Sequence, residues 1–223
     1  MRARLAFGRI VLVLSLLVIA AACGSLPGTA DPASDAPEGP GPGIAEFKDA
    51  ASYAQALQVW RTPEDVNAWI GARFRYDMAR AMALSENQRG RSGQLLIHPA
   101  HEFFAAPSGI CVDLSRFAVE TLAQIDPQLD AKYLMIEFAP VTIGGNTLRM
   151  HWLASFTREG KHYFFADSKR PGHISGPYPG VREFIAEYAA YRNRQVVAFR
   201  ELNSYQRKQR TIATKQSREE RRP

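Results

Sequence analysis

The chain has 223 residues, of which 28 are lysine or arginine and 22 are acidic, and its formal net charge is +6. The positive charge lies mainly at the two ends, which leaves residues 23–200 close to neutral and argues against a nucleic-acid-binding face on the folded part. Only two cysteines are present, Cys23 and Cys111, so a small fold held together by several disulfides is excluded.

Residues 1–22 have the pattern of a secretory signal, because arginines precede a short apolar run that ends in small residues. The run stops at Cys23, and this junction resembles a bacterial lipobox, in which the cysteine is lipidated and becomes the mature N-terminus. An ordinary signal peptide with a chance cysteine is the alternative. We therefore expect a lipoprotein signal peptide over 1–22, lipid attachment at Cys23, and a location in the cell envelope, at the outer membrane facing the periplasm.

The composition changes twice more along the chain. Residues 23–45 are rich in proline and glycine, which predicts a flexible tether. Residues 203–223 are basic and polar, which predicts a disordered tail, either simply solvated or in contact with anionic lipid or an acidic partner. Residues 46–202 remain for a single folded domain.

Helical patterns dominate the first half of this domain. Residues 44–60 have a loose helical spacing of apolar side chains. Thr62 and Pro63 mark a second helix start, because threonine caps a helix and proline suits its first turn. Residues 85–94 are predicted to form a polar loop.

A third helix is predicted to begin next to Cys111, since apolar positions repeat at intervals of three and four beyond Gly109. A thiol at a helix N-terminus faces unpaired amides and the positive end of the helix dipole, which can lower its pKa and activate it. The same amides can stabilise an oxyanion. A small buried core cysteine is the alternative.

Strand patterns follow in the second half, and helices followed by an antiparallel sheet predict an α+β fold. The predicted elements are a strand over 132–139, a hairpin over 149–157 and 161–167, a helix over 181–192 and a last strand over 195–199.

The hairpin brings two candidate catalytic residues together. A three-residue loop over residues 158–160, with its glycine left-handed, pairs Thr157 with Lys161. This register places His151 directly opposite Asp167, on the same face of the sheet. A carboxylate beside an imidazole fixes its tautomer, and with Cys111 as nucleophile the set is suited to acyl transfer.

These residues also carry a resemblance to a known family. The segment GICVDLS over residues 109–115, then His151-Trp152 and Asp167-Ser168, resembles the transglutaminase-like superfamily, and more narrowly bacterial transglutaminase-like cysteine peptidases. The resemblance covers roughly residues 60–170. It implies a papain-like core with Cys111 as nucleophile, His151 as general base and acid, and Asp167 as its orienting group.

The function that follows is amide hydrolysis through a thioester, on a protein or peptide substrate in the envelope, without a metal or other cofactor. Protein transamidation by the same triad is one alternative, and a catalytically silent binding or scaffold domain on the same fold is another. Some of these peptidases depend on calcium through acidic residues beside the cysteine, but the flanking residues here are Ile110 and Val112. No second oxyanion donor is assigned.

Other candidates fit a site less well. His98 and His101 suggest a metal site, but Pro99 interrupts their spacing and zinc sites usually need three or four ligands. Asp113 is expected to cap the helix that begins at Cys111. The larger aromatic residues are expected in the core rather than on a ligand platform, namely Trp60, Trp69, Phe103, Phe104, Phe164 and Phe165.

Overall fold

The computed structural model describes residues 33–39, 47–86 and 96–205. The predicted signal peptide, Cys23, most of the predicted loop over 85–94 and nearly all of the predicted tail lie outside the described residues. Among the described residues, no helix has both the length and the apolar character needed to cross a membrane.

The described residues contain six helices. They are α1 (Tyr53–Val59), α2 (Pro63–Arg73), α3 (Met78–Ala83), α4 (Ala100–Ala105), α5 (Cys111–Ile125) and α6 (Val181–Arg192), and a short 3-10 turn (Pro127–Leu129) follows α5.

Seven strands within the described ranges form two sheets. They are β1 (Arg75–Tyr76), β2 (Ser108–Gly109), β3 (Lys132–Ile143), β4 (Asn146–Arg158), β5 (Lys161–Phe165), β6 (Ser175–Tyr178) and β7 (Val196–Leu202). Strands β1 and β2 form a small parallel pair, and the other five form an antiparallel sheet in the order β6-β5-β4-β3-β7. The predicted α+β class is therefore confirmed.

The start of α2 shows why the sequence forms a helix there. The Thr62 side chain accepts a hydrogen bond from the backbone amide of Asp65, and the Asp65 carboxylate accepts one from the amide of Thr62. This reciprocal capping box satisfies two amides that the helix itself leaves without partners. The predicted helix start at Thr62 and Pro63 is confirmed.

The antiparallel sheet is covered on both faces. On one face, Phe117 and Leu122 of α5 pack into a core with Trp152 and other strand residues. On the other face, Phe184 of α6 stacks on Phe164 of β5 with 4.0 Å between ring centroids. Because neighbouring strand residues point to opposite faces, the two buried layers use alternate positions of the same strands.

The hairpin between β4 and β5 has a shorter loop than the sequence predicts. Arg158 pairs with Lys161, so Thr157 lies opposite His162 instead of Lys161. The turn consists of Glu159 and Gly160, both at positive φ, which is the two-residue turn whose twist matches that of the strands. The predicted register was therefore wrong by one residue, and His151 is not the ladder partner of Asp167.

Candidate active site

Cys111 is the first residue of α5 and is buried. Gly109 precedes it in β2, where an added Cβ atom would lie 2.9 Å from Asp113 Cβ and 3.1 Å from Phe103 Cε2. Only a glycine fits this approach without a shift of its neighbours. The predicted position of Cys111 at a helix N-terminus is confirmed.

Asp113 fixes this helix start. Its buried carboxylate accepts hydrogen bonds from the amide of Ile110 at 3.1 Å and the amide of His98 at 3.0 Å. Arg80 of α3 binds both carboxylate oxygens, at 2.7 and 2.9 Å. The predicted capping role of Asp113 is confirmed, and the carboxylate also ties two other parts of the chain to the turn before Cys111.

His151 and Asp167 meet although the hairpin register does not pair them. His151 Nε2 lies 3.0 Å from Asp167 Oδ1, and both side chains are buried. Strand β5 ends at Phe165, and Ala166 adopts a left-handed conformation with φ of 56°. This residue breaks the alternation of the strand, and the chain then presents Asp167 to His151.

Helix α6 adds two residues that sequence reasoning did not assign to the site. The Tyr188 hydroxyl donates to Asp167 Oδ2 at 2.9 Å and also lies 2.9 Å from His151 Nε2. Arg192, one turn later and fully buried, donates to the Tyr188 hydroxyl at 2.9 Å. The predicted helix over 181–192 includes both residues, but its pattern did not indicate a role for either in the site.

Asp35 is a further member of the group, and no sequence signal pointed to it. It lies within the predicted tether, yet it is buried, with Oδ1 3.1 Å from His151 Nδ1 and 2.6 Å from a guanidinium nitrogen of Arg192. One ligand atom each of Asp35, Cys111 and His151 lie within 4.8 Å of one another. His151 therefore has Asp167 at Nε2 and Asp35 at Nδ1, and Cys111 lies close to both Asp35 and the imidazole.

Burial and charge set the protonation of this group. Burial raises the pKa of Cys111, and hydrogen bonds with His151 and with the Trp152 amide only partly oppose this effect. Burial lowers the pKa of His151, but Asp35 and Asp167 outweigh burial and raise that pKa well above its ordinary value. In this arrangement the two carboxylates favour the protonated imidazole, and burial favours the protonated thiol.

The two carboxylates are ionised. Burial raises the pKa of Asp167, but its hydrogen bond with His151 and the charges of His151 and Arg192 bring it down to about 2. The same two cations also hold the pKa of Asp35 well below its ordinary value in spite of burial. The site therefore pairs two buried anions with two buried cations, which is the arrangement that buried charges require.

A small cleft of about 80 Å³ leads to the thiol. Asp35 and Cys111 lie in its wall, together with Tyr76 and residues 147–150 at the start of β4. Pockets that hold small ligands are usually several times larger, roughly 300 Å³ or more. Asp35 narrows this cleft, because its carboxylate lies within 4.8 Å of the Cys111 sulfur.

Among the described residues, Asp35, Cys111 and His151 are also the one group whose donor atoms are close enough to share a metal ion. Thiolate, imidazole and carboxylate are the ligands that zinc prefers. However, Arg192 already places a cation 2.6 Å from Asp35, and this explains the buried carboxylate without a metal. His98 and His101 are not part of this group.

The predicted aromatic core is confirmed. Trp60, Trp69, Phe103 and Phe165 are buried on the α5 face of the sheet, where Phe104 stacks on Trp69 at 5.0 Å. Phe164 is buried on the opposite face, against α6.

The arrangement has the components of thiol-based acyl transfer: a cysteine at a helix N-terminus, a histidine within reach and a carboxylate on the far ring nitrogen of that histidine. Comparison with known proteins assigns no family, because no protein-family model matches the chain and no curated protein matches it.

Proposed function

We propose that this chain is a cysteine amide hydrolase of transglutaminase-like type, with a papain-like core and a peptide or protein substrate. The observation that supports it best is the convergence of Cys111, His151 and Asp167 from α5, β4 and the end of β5, with His151 Nε2 3.0 Å from Asp167. The resemblance of the segment over 109–115 to that superfamily points the same way.

In the proposed reaction, His151 in its neutral form takes the Cys111 proton, and the sulfur attacks the carbonyl carbon of a substrate amide. A C–S bond forms, the C–N bond breaks, and the amine leaves with the proton that His151 returns. Water then cleaves the thioester, with His151 as base, and regenerates the thiol. Asp167 and Tyr188 hold the imidazole in place through both steps.

The amides at the start of α5 are the available donors for the oxyanion that forms on the substrate carbonyl. The Trp152 amide, which hydrogen-bonds to the thiol, is a further donor on β4. The proposed location is the cell envelope, with Cys23 as the lipid attachment site. An amine in place of water would give transamidation by the same thioester.

The direct test is hydrolysis of a mixture of fluorogenic peptides by the purified full chain. We expect cleavage that is lost in Cys111→Ser and His151→Ala and retained in Cys23→Ser, which is the matched cysteine control. Adding a fluorescent primary amine distinguishes transfer to the amine from transfer to water. Cleavage that survives Cys111→Ser would contradict the proposal.

A tethered binding domain with silent chemistry is the second candidate, because Cys111 is buried and burial raises its pKa. The rate of Cys111 alkylation by iodoacetamide from about pH 5 to pH 9 separates the two candidates. A poised thiol reacts at low pH and loses this reactivity in His151→Ala, whereas a structural cysteine reacts only when the protein unfolds.

A further inference from the structure

The residues of the predicted tether nearest to the site are held on the domain by polar contacts. Ser168 donates its hydroxyl hydrogen to the Asp35 carbonyl at 2.9 Å, and Arg192 reaches the Ser34 carbonyl at 3.2 Å. The Glu38 amide donates to the Lys169 carbonyl at 3.4 Å. No side chain of residues 33–39 belongs to either hydrophobic core cluster of the described residues. The segment is therefore held by polar contacts, without adding an apolar side chain of its own to the core.

The Asp35 carboxylate lies where the first chemical step takes place. Its Oδ1 atom is 3.1 Å from His151 Nδ1, and one ligand atom each of Asp35, His151 and Cys111 lie within 4.8 Å of one another. The Nδ1 atom is buried, and its contact with Asp35 is an ion pair without the alignment of a hydrogen bond. A carboxylate in this position stabilises the imidazolium. While residues 33–39 are docked, Asp35 holds this position, so the segment keeps an acidic substrate out of it.

Arg192 explains why a carboxylate is bound at this position. Its guanidinium is fully buried and one nitrogen lies 2.6 Å from Asp35 Oδ1. Removal of a partner from a buried ion pair is strongly unfavourable, because the remaining charge loses its compensation. Asp35 leaves Arg192 far more easily when another carboxylate takes its place, because the guanidinium then keeps an anionic partner.

We propose that Arg192 and the Nδ1 side of His151 form a carboxylate-binding subsite next to Cys111, which Asp35 fills within the chain and from which an acidic substrate displaces residues 33–39. The inference rests on the proposed function and adds the substrate class, a peptide with an acidic side chain beside the cleaved amide. The segment over 33–39 then acts as an internal competitor of that substrate.

Two alkylating reagents that differ only in charge test the subsite. The Cys111 thiolate displaces iodide from both iodoacetate and iodoacetamide, but only iodoacetate carries a carboxylate. Rates at Cys111 are measured by mass spectrometry of its peptide in the full chain, so that reaction at Cys23 is not counted. The ratio of the two rates is compared with that of N-acetylcysteine amide in the same buffer.

In the unchanged chain we expect both reagents to react at Cys111 at mildly acidic pH, but more slowly than in Asp35→Asn. In Asp35→Asn, both rates should rise, and the iodoacetate-to-iodoacetamide ratio should exceed the reference by about tenfold, because the freed cations attract the anion. A second substitution, Arg192→Gln, should return the ratio to the reference. Asp130→Asn, which removes an exposed carboxylate at a left-handed position that asparagine tolerates, is the matched control and should leave both rates unchanged.

A second measurement uses an acid and amide pair in the Asp35→Asn chain. N-acetylaspartate α-amide should protect Cys111 from iodoacetamide about tenfold better than N-acetylasparagine amide. Equal protection by the two probes, or an unchanged rate ratio in Asp35→Asn, would overturn the subsite. Slower alkylation in Asp35→Asn would also overturn it, because Asp35 would then assist the thiol.

The remaining outcomes are equally distinct. Faster alkylation of the unchanged chain after EDTA treatment would show a metal bound by Asp35, Cys111 and His151, and would replace the proposal. If the iodoacetate preference appears but His151→Ala does not change the pH profile of Cys111 alkylation, the subsite stands and the proposed hydrolase fails. If the iodoacetate preference is absent but His151→Ala abolishes alkylation at low pH, the proposed hydrolase stands and the subsite fails.

Discussion

The Tyr188 hydroxyl lies 2.9 Å from His151 Nε2 and donates a hydrogen bond of 2.9 Å to Asp167 Oδ2. Its oxygen also accepts a hydrogen bond from Arg192, one turn further along α6. Helix α6 thereby contacts both the imidazole and the carboxylate through Tyr188. The Tyr188 and His151 rings are stacked at an interplanar angle of 17°.

Tyr188→Phe removes this hydroxyl without changing the packing of the ring. It leaves one oxygen of Asp167 and one nitrogen of Arg192 without this partner in a buried site, which should lower the free energy of unfolding by about 2 kcal/mol. Urea denaturation measures the change. Tyr133→Phe, in the core on the opposite face of the sheet, is the control and should cost less than about 0.5 kcal/mol. Equal losses in both variants would show that the hydroxyl contributes nothing specific.

Asp113→Asn tests the anchor of the helix that carries Cys111. The change leaves Arg80 without its bidentate carboxylate partner where both side chains are nearly inaccessible to solvent. We expect the free energy of unfolding to fall by about 3 kcal/mol. Asp49→Asn breaks an exposed ion pair with Arg73 and should change stability by less than about 0.5 kcal/mol. Thermal unfolding compares the two variants, and similar midpoints would contradict the anchoring role.

Gly109→Ala tests the close approach before Cys111. The added methyl group meets Asp113 and Phe103 at about 3 Å, so either α4 or the helix start at Cys111 must move. Overpacking of this kind costs about 1–3 kcal/mol, and the shift should also alter the alkylation rate of Cys111. Gly39→Ala is the control, because an added Cβ atom there has no heavy atom within 4 Å. A stable variant with normal alkylation would mean that the turn has more room than the structure shows.

Acid titration tests the pairing of Asp167 with His151. The folded protein holds the pKa of Asp167 at about 2, against an ordinary value of 3.8. The ionised carboxylate therefore stabilises the fold fully at pH values above 3.8. This contribution, about 2 kcal/mol, is lost as the pH falls from the ordinary value through about 2. In Asp167→Asn the unfolding free energy should fall less steeply over this range. Parallel pH profiles for the two proteins would contradict the lowered pKa.

Local signals in the sequence predicted most of the elements. Thr62 and Pro63 mark the start of α2, the stripe beyond Gly109 marks α5, and the predicted helix over 181–192 has the observed bounds of α6. These signals work because capping, periodic burial and backbone preference act over a few neighbouring residues. The two short helices α3 and α4, of six residues each, offered no pattern long enough to detect.

The meeting of His151 and Asp167 was predicted from a hairpin register that the structure contradicts. The observed turn is one residue shorter, since Glu159 accepts a positive φ, and the left-handed Ala166 then redirects the chain. Periodicity does not reveal a left-handed alanine, because alanine rarely adopts this conformation. The two residues meet in the structure by a different route.

The contribution of Asp35 could not be predicted for another reason. Composition indicates whether a segment can bury apolar area, and the segment over 33–39 cannot. It is held instead by charge and backbone hydrogen bonds to Arg192 and Ser168, whose positions depend on the complete fold. Contacts of this type have no short-range signature.

The pairing of Asp35 with Arg192 spans 157 residues and joins the beginning and the end of the described chain. Long-range contacts form late, because the entropy of closing a large loop is lost before the contacts stabilise the fold. During synthesis, Cys111, His151 and Asp167 all emerge before α6, and the nascent domain lacks Tyr188 and Arg192 until that helix is made. The order of emergence therefore delays assembly of the site until nearly the whole domain exists, and a chain that stops before residue 181 would have the thiol without the helix that positions its histidine.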